Sequence, residues 1–195
     1  MRVPDGECRR LLINQPPRSL KSLSVSVAFV ARLLGHDPSR RIIVVSYASE
    51  LSAELHRQFR MVIESLWYQE LFPAMRPAKD TGTELVTTAG GSRYATTVGG
   101  TLTGRGADFI IIDDPLKAEE ALSEPGRNRV TDWFGGTLVS RLNDKENAIN
   151  TEVYVQAREI LVLFEGLLSA AHTKRMLLLR EIRNQRLGRP TRPTR

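Results

Sequence analysis

Residues 109–115 read Phe-Ile-Ile-Ile-Asp-Asp-Pro, so four consecutive apolar residues are followed by two adjacent carboxylates and a proline. A continuous apolar run of this length predicts a strand that is buried on both faces, as in parallel sheets. Asp113 and Asp114 then lie where the strand ends. This acidic pair suits an Mg²⁺ site beside a reacting phosphate, and it equally suits a solvated turn that caps the next helix.

Two further apolar runs predict strands of the same sheet. Residues 11–13 read LLI and residues 42–45 read IIVV. The first run precedes a stretch from 22 to 34 that is apolar all round, as in a helix between layers. The second precedes apolar residues at helical spacing, namely Leu51, Leu55, Phe59, Val62 and Ile63. Strands that alternate with helices predict an α/β fold with a mostly parallel sheet and right-handed crossovers.

The sequence between residues 83 and 103 is rich in Thr and Gly, with alternating apolar positions. Gly90-Gly91 predicts a hairpin turn, and Gly99-Gly100 predicts a second bend. Downstream, residues 118–142 predict a mostly helical segment that is interrupted at Pro125-Gly126.

The stretch from Gln15 to Ser22, QPPRSLKS, lies between the first predicted strand and its helix. This is the position of a phosphate-binding loop, in which Lys21 would supply a point charge and Ser22 a hydroxyl for the Mg²⁺ shell. The usual loop carries glycine where this chain has Gln15 and Leu20. The loop pattern alone is therefore weak, and the acidic strand end supports it.

Leu20 is expected to weaken nucleotide binding. The residue before the lysine approaches the phosphates closely, and a Cβ there costs about 1–3 kcal/mol if the backbone is strained. A loss of about 1.4 kcal/mol lowers affinity tenfold. The expected outcomes range from weakened to abolished ATP binding.

The composition excludes several classes of protein. Cys8 is the one cysteine, so no internal disulfide forms, and the three histidines lack zinc spacing. No apolar run is long enough to span a membrane, and Asp5 and Glu7 stand where a signal peptide would be apolar, so we expect a cytoplasmic protein. The net charge of +6 is concentrated after Thr173, which predicts either a solvated terminus or a phosphate-seeking arm.

Five stretches of the sequence belong together: PPRSLKS, VVSYASELSAELHRQF, GGSRYATTVGGTLTGRGAD, FIIIDDP and LSEPGRNRVTDWFGGTLVSRL. They occur in the order and spacing of the ATPase domain of the tailed-phage terminase large subunit, which this chain resembles over residues 11–142. In that family the first stretch typically reads P-P-R-H-G-K-S, and GGTLTGRGAD directly before an IIIDDP strand is highly characteristic.

The resemblance implies a P-loop NTPase of the ASCE type, a three-layer α/β sandwich whose ATPase core is residues 1–145. It implies a phage or prophage DNA-packaging motor in the bacterial cytoplasm, with ATP and Mg²⁺ as cofactors. The implied partners are double-stranded DNA, the portal, the small terminase subunit and sibling subunits in a homo-oligomeric ring.

Residue roles carry over from the family where the motifs match. Lys21 would hold the β- and γ-phosphates, Ser22 and Asp113 the Mg²⁺, and Asp114 would be the catalytic carboxylate. Arg18 resembles the family arginine that senses or stabilises the γ-phosphate. The ATP-binding loop would comprise Pro17, Arg18, Ser19, Leu20, Lys21 and Ser22.

Arg105 is a further candidate for a phosphate or subunit contact, although a helix-capping or DNA-backbone arginine fits its Gly104-Arg105-Gly106 context equally well. The chain also departs from the family. Ser19 replaces the usual histidine, and the adenine-contacting segment, the Arg-His-acid coupling motif and the nuclease domain are not found.

Residues 146–195 are expected to form a divergent, basic and partly disordered segment, with a strand at 153–155 and a helix at 160–187. The sharp loss of family pattern suggests a truncated gene with a frameshift or rearrangement near residue 145. Two alternatives to an active motor stay open: a catalytically dead remnant that binds DNA or sibling subunits, and another P-loop motor such as a helicase-like ATPase.

Overall fold

The computed structural model describes residues 11–13, 15, 19–143 and 153–154. Its strands are β1 (Leu11–Leu12), β2 (Arg41–Ser46), β3 (Pro77–Asp80), β4 (Glu84–Thr87), β5 (Ser92–Thr97), β6 (Phe109–Ile112) and β7 (Val153–Tyr154). Its α-helices are α1 (Val30–His36), α2 (Ser49–Ile63), α3 (Leu66–Leu71), α4 (Ala118–Ala121) and α5 (Glu124–Trp133). A π-helical segment, Leu23–Phe29, leads directly into α1, and a second, Phe134–Leu138, follows α5 before a 3₁₀ turn at Val139–Arg141.

Five strands form the central sheet in the order β3-β4-β5-β2-β6. Strand β2 pairs in parallel with both β5 and β6, whereas β4 is antiparallel to β3 and β5. The strand predicted at 42–45 therefore lies between two parallel neighbours and is buried, as its continuous apolar run indicated. The strand predicted at 109–112 lies beside it as the last strand of the described sheet, so the prediction that it is buried on both faces is wrong: only Ile111 is buried, and Ile112 is 37% exposed. The α/β class with a mostly parallel core of the sheet is confirmed.

Strand β1 differs from the expectation. It pairs in parallel with β7 in a separate two-stranded sheet rather than with β2 and β6. It is only two residues long, and Leu12 is half exposed. Such a short strand forms few ladder hydrogen bonds, so the apolar run at 11–13 carries little information about which strand it joins.

Apolar residues cover both faces of the sheet. On one face the π-helical segment, α1, α2 and α3 pack on alternate sheet residues, including Ile42, Val44 and Leu85. On the other face Ile43 and Val45 meet a smaller cluster, completed by Leu102, Ala107 and Leu138. The alternation along β2 shows that this strand is buried on both sides, which is the arrangement of a layered α/β fold.

Turn and cap geometry confirms the predicted hairpin and corrects the position of the predicted helix interruption. Gly90 has a φ of +83° in the turn between β4 and β5, and a Cβ on Gly91 would lie 2.2 Å from the carbonyl oxygen of Pro38. The predicted hairpin is therefore confirmed, and glycine is required there. The interruption expected at Pro125-Gly126 was misplaced, because Pro125 lies in the first turn of α5 and Ser123 caps that helix.

The expected C-terminal segment lies almost wholly outside the described residues. Only 153–154, within the strand expected at 153–155, is described, and the helix expected at 160–187 is not. Within the described part of the chain, no helix combines the length and apolar character that a membrane span requires.

Candidate functional site

Lys21 lies against both carboxylates of the acidic strand end. Its Nζ forms an ion pair with Asp114 Oδ1 and lies 3.4 Å from Asp113 Oδ1. The two sequence patterns that predicted a phosphate site, far apart along the chain, thus meet at one place. We call Lys21, Asp113 and Asp114 the Lys–Asp–Asp cluster.

The sheet explains why Asp113 reaches this place. Strand β6 runs parallel to β2, and the N–H of Asp113 donates to the carbonyl of Val45 at 2.8 Å, which extends the ladder by one residue. Asp113 therefore lies at the carboxyl end of two adjacent parallel strands. Ligands of open α/β sheets bind at this end.

Asp113 is a buried carboxylate, only 3% exposed. Its Oδ2 accepts a hydrogen bond of 2.9 Å from the Ser26 hydroxyl, and its Oδ1 faces the Lys21 ammonium. A buried charge is costly unless it is paired and hydrogen-bonded. Both requirements are met here, so Asp113 is held in one orientation.

Asp114 is 54% exposed and has a left-handed backbone, with φ +47°. A single non-glycine residue in this region costs about 1 kcal/mol or more, although aspartate tolerates it better than most residues. The conformation turns the carboxylate of Asp114 back toward Lys21. It leaves one face of that carboxylate open to solvent.

Leu20 also has a left-handed backbone, with φ +59°, and its side chain is 55% exposed. Its carbonyl accepts from the N–H of Ser24 at 2.8 Å, so Leu20 stands at the entry of the helical run. This is the conformation that makes glycine favourable. The backbone strain anticipated at Leu20 from the sequence is therefore present.

The charge state of Lys21 follows from its neighbours. Burial by itself lowers the pKa of Lys21, but the hydrogen bond to Asp114 and the charges of Asp113 and Asp114 outweigh burial, so the pKa lies above its ordinary value. Lys21 is therefore a cation at neutral pH, as a phosphate-binding group must be.

The structure describes only some of the other predicted loop residues. Ser19 donates to Gln15 Oε1 at 3.0 Å, and Ser22 lies in the first turn of the helical run. Pro17 and Arg18 lie outside the described residues. The hydroxyl bound to Asp113 belongs to Ser26 rather than to Ser22.

Sequence reasoning missed Ser26. The available signal was its position four residues after Ser22, since residues at this spacing share one helix face. Ser26 also lies in the π-helical segment, a geometry that is frequent at functional sites.

Arg105 contacts other residues than those of the Lys–Asp–Asp cluster within the described chain. Its guanidinium stacks 3.7 Å from the ring centroid of Tyr94 and forms an ion pair with Glu84. The hydrogen bond with Arg105 lowers the pKa of Glu84 below its ordinary value. The structure therefore gives Arg105 a position on the β4–β5 surface and does not bring it to Lys21.

A second polar residue that the sequence did not reveal, Arg93, is linked to the cluster through Ser26. Arg93 is fully buried on β5 and donates to His56 Nδ1 at 2.7 Å and to the Ser26 carbonyl at 3.3 Å. Strand alternation places residue 93 on the inner face beside Leu85, where an apolar residue is the usual occupant. An inward-facing arginine was the available signal.

The oxygen atoms of the cluster could hold a hard divalent cation. Mg²⁺ usually keeps several waters and takes only one or two protein carboxylates together with substrate phosphates. Asp113 and Asp114 supply the carboxylates of that donor set. Among the described residues there is no group of three or more Asp, Glu, His or Cys side chains that could enclose a metal without substrate.

Comparison with known proteins gives no match to a protein-family model and no match to a curated protein.

Proposed function

We propose that this chain is an Mg²⁺-dependent ATP hydrolase of the terminase large-subunit type, with a P-loop fold. The observation that carries the proposal is the convergence of Lys21 with Asp113 and Asp114 at the carboxyl edge of the parallel strands. A strand-end carboxylate, a neighbouring carboxylate and a loop lysine are what phosphoryl transfer requires at one place.

Lys21 would bind the β- and γ-phosphates. Its ion pair with Asp114 engages the ammonium, so a phosphate must replace Asp114 as a partner of Lys21. This exchange frees the Asp114 carboxylate, which is exposed on its other side. The freed carboxylate is then able to orient and deprotonate the attacking water.

Mg²⁺, when bound, would neutralise charge on the phosphate oxygens. Asp113 would hold the ion with Ser22. The hydrogen bond from Ser26 fixes one oxygen of Asp113, and the other, which faces Lys21, would be the oxygen that holds the ion. Arg18 would stabilise the γ-phosphate, as the resemblance implies.

The family resemblance also supplies the biological role that we propose. Turnover would drive double-stranded DNA into a procapsid, with the chain acting in a homo-oligomeric ring on the portal together with the small terminase subunit. The place of action would be the bacterial cytoplasm. Arg105, which lies outside the cluster, is the candidate for contact with a neighbouring subunit.

The experiment is a calorimetric titration of the full-length chain with ATP, with and without Mg²⁺, paired with an assay of phosphate release. We expect saturable binding that strengthens with Mg²⁺, and slow turnover. A chain that neither binds ATP nor releases phosphate at millimolar ATP and Mg²⁺ contradicts the proposal.

A second candidate is a protein that keeps the fold and has lost hydrolysis, binding DNA or sibling subunits instead. The left-handed Leu20 favours it, because its Cβ stands where the phosphate approaches a bare backbone in other loops. ATP binding without turnover, together with DNA binding that does not respond to ATP, would support this candidate.

A further inference from the structure

Arg93 is the largest fully buried side chain of the described residues, and it carries a charge. Burial lowers the pKa of Arg93 to about 9, which still leaves the group protonated at neutral pH. No carboxylate of the described chain contacts it. Its partners are the His56 ring, the Ser26 carbonyl and the face of Phe59, whose centroid lies 5.0 Å away.

These partners fix the state of His56. A guanidinium can only donate, so His56 Nδ1 must accept from Arg93 and the proton must reside on Nε2. His56 Nε2 lies 2.9 Å from the Thr81 carbonyl, to which it donates, and 3.4 Å from Asp80 Oδ1. His56 is therefore neutral and holds Arg93 in one position.

Arg93 in turn holds Ser26. The Ser26 carbonyl accepts from Arg93, and the Ser26 hydroxyl donates to Asp113. Ser26 is completely buried, so it has no freedom to turn toward solvent. Ser26 thus connects Arg93 on β5 with Asp113 at the end of β6.

We propose that Arg93 and His56 are positioning residues, which hold the π-helical segment so that Ser26 orients the Asp113 carboxylate for the metal ion. The inference rests on the proposed function, since it assigns the residues behind the same site. It adds a requirement: the affinity for Mg²⁺ depends on two side chains that touch neither the metal nor the nucleotide. Residues that orient ligands in this way typically change metal affinity about 10- to 100-fold when altered.

Three substitutions separate the steps. Arg93→Met removes the cation but keeps an unbranched apolar chain. His56→Leu removes both ring nitrogens, whereas His56→Asn keeps an acceptor at the position of Nδ1 and so should still hold Arg93. Tyr68→Phe is the matched control, because Tyr68 is also buried and donates to a carbonyl of α1, that of Ala31 at 2.6 Å, without a link to Asp113.

The first readout needs no nucleotide. Amide hydrogen exchange is measured on the full-length chain, and Arg93→Met and His56→Leu should exchange about tenfold faster than wild type at 23–29 and at 109–114. His56→Asn and Tyr68→Phe should speed exchange at 109–114 by no more than their loss of global stability accounts for. Faster exchange confined to residues around positions 56, 81 and 93 overturns the proposal.

The second readout is the Mg²⁺ concentration for half-maximal ATP turnover. It should rise about tenfold or more in Arg93→Met and His56→Leu and return near the wild-type value in His56→Asn. Binding of ATP without Mg²⁺ should change less than twofold, because Lys21 contacts Asp113 and Asp114 and not Arg93 or His56. A parallel loss of both affinities, tracking the melting temperature, would mean that Arg93 supports the fold only.

The two hypotheses can fail separately. Wild-type protein that does not bind ATP contradicts the proposed function, and the exchange experiment then decides on the positioning role by itself. Wild-type protein that hydrolyses ATP, with an unchanged Mg²⁺ requirement in Arg93→Met and His56→Leu, contradicts the positioning role alone.

Discussion

Lys21 and Asp114 are 93 positions apart in the sequence and form an ion pair at the carboxyl edge of the sheet. The contact joins the start of the first helical run to the end of β6. Asp114 itself and Leu20, which precedes Lys21, both have left-handed backbones. Two such strained residues at one ion pair lower local stability, which is common at functional sites.

Replacing Lys21 with alanine should abolish ATP turnover. The ammonium is the one lysine of the cluster, and removing a preorganised cation from a phosphoryl-transfer site costs about 100-fold or more in rate. Phosphate release by Lys21→Ala is the measurement. Lys79→Ala is the control, because Lys79 pairs with Glu84 on the surface, at 3.4 Å. Equal loss in both variants would contradict the assignment.

Substitutions of Asp114 and Asp113 should have different effects, the first on turnover and the second on the dependence on Mg²⁺. Asp114→Asn should lose turnover by about 100-fold or more while ATP still binds, because asparagine keeps the shape and tolerates φ +47° but cannot act as a base. Asp113→Ala should weaken the response to Mg²⁺ instead. Exposed Asp132→Asn is the control, and unchanged rates in both cluster variants would mean that the acidic strand end is not the catalytic site.

Leu20→Gly should tighten ATP binding by about tenfold, which corresponds to about 1.4 kcal/mol. On the proposed function, glycine removes a Cβ that would crowd the bound phosphate, while little burial is lost because the side chain is 55% exposed. Relief of the left-handed strain at Leu20 adds about 1–2 kcal/mol to the stability of the fold with or without ATP. Calorimetry gives the affinity. Leu122→Gly, an 86% exposed leucine with φ −78°, is the control and should gain nothing. Equal or weaker affinity in Leu20→Gly would contradict the steric account.

The sequence predicted the parts of the fold that depend on pattern. The apolar runs at 42–45 and 109–112 correctly predicted two strands of the parallel part of the sheet. Burial on both faces holds for β2 alone, because β6 is the last strand of the described sheet and its Ile112 is 37% exposed. Helical spacing predicted α2, and Gly90-Gly91 predicted the hairpin. These features are local, so a single stretch of chain contains the whole signal.

The missed features depend on contacts between distant residues. The partner of β1 could not be read from LLI, since two ladder residues fit any free strand edge. Ser26 and Arg93 follow the correct periodicity for buried positions but carry polar groups, and their roles become visible only when Asp113 and His56 are placed beside them. A polar residue at a position that periodicity marks as buried predicts a buried hydrogen-bond network, but it does not predict which residues are its partners.

The buried pair of His56 and Arg93 should make stability depend on pH. Burial and then the charge of Arg93 lower the pKa of His56, against the opposing effect of Asp80, which itself pairs with Arg60. A histidine whose pKa is lower in the folded state makes its full contribution to stability at pH values above its unfolded-state pKa of about 6.5. That contribution is lost as the pH falls through the folded-state pKa.

The free energy of unfolding of the wild type should therefore fall on acidification from pH 7 to 5, by up to about 1.4 kcal/mol per pH unit from this one group. His56→Asn should be less stable at pH 7.5 yet show a flatter profile, because asparagine does not titrate. Urea unfolding at several pH values gives the comparison. His36→Asn is the control: burial also lowers the pKa of exposed His36, but its removal should flatten the profile less. A profile of His56→Asn as steep as that of the wild type would show that His56 is not the group that titrates.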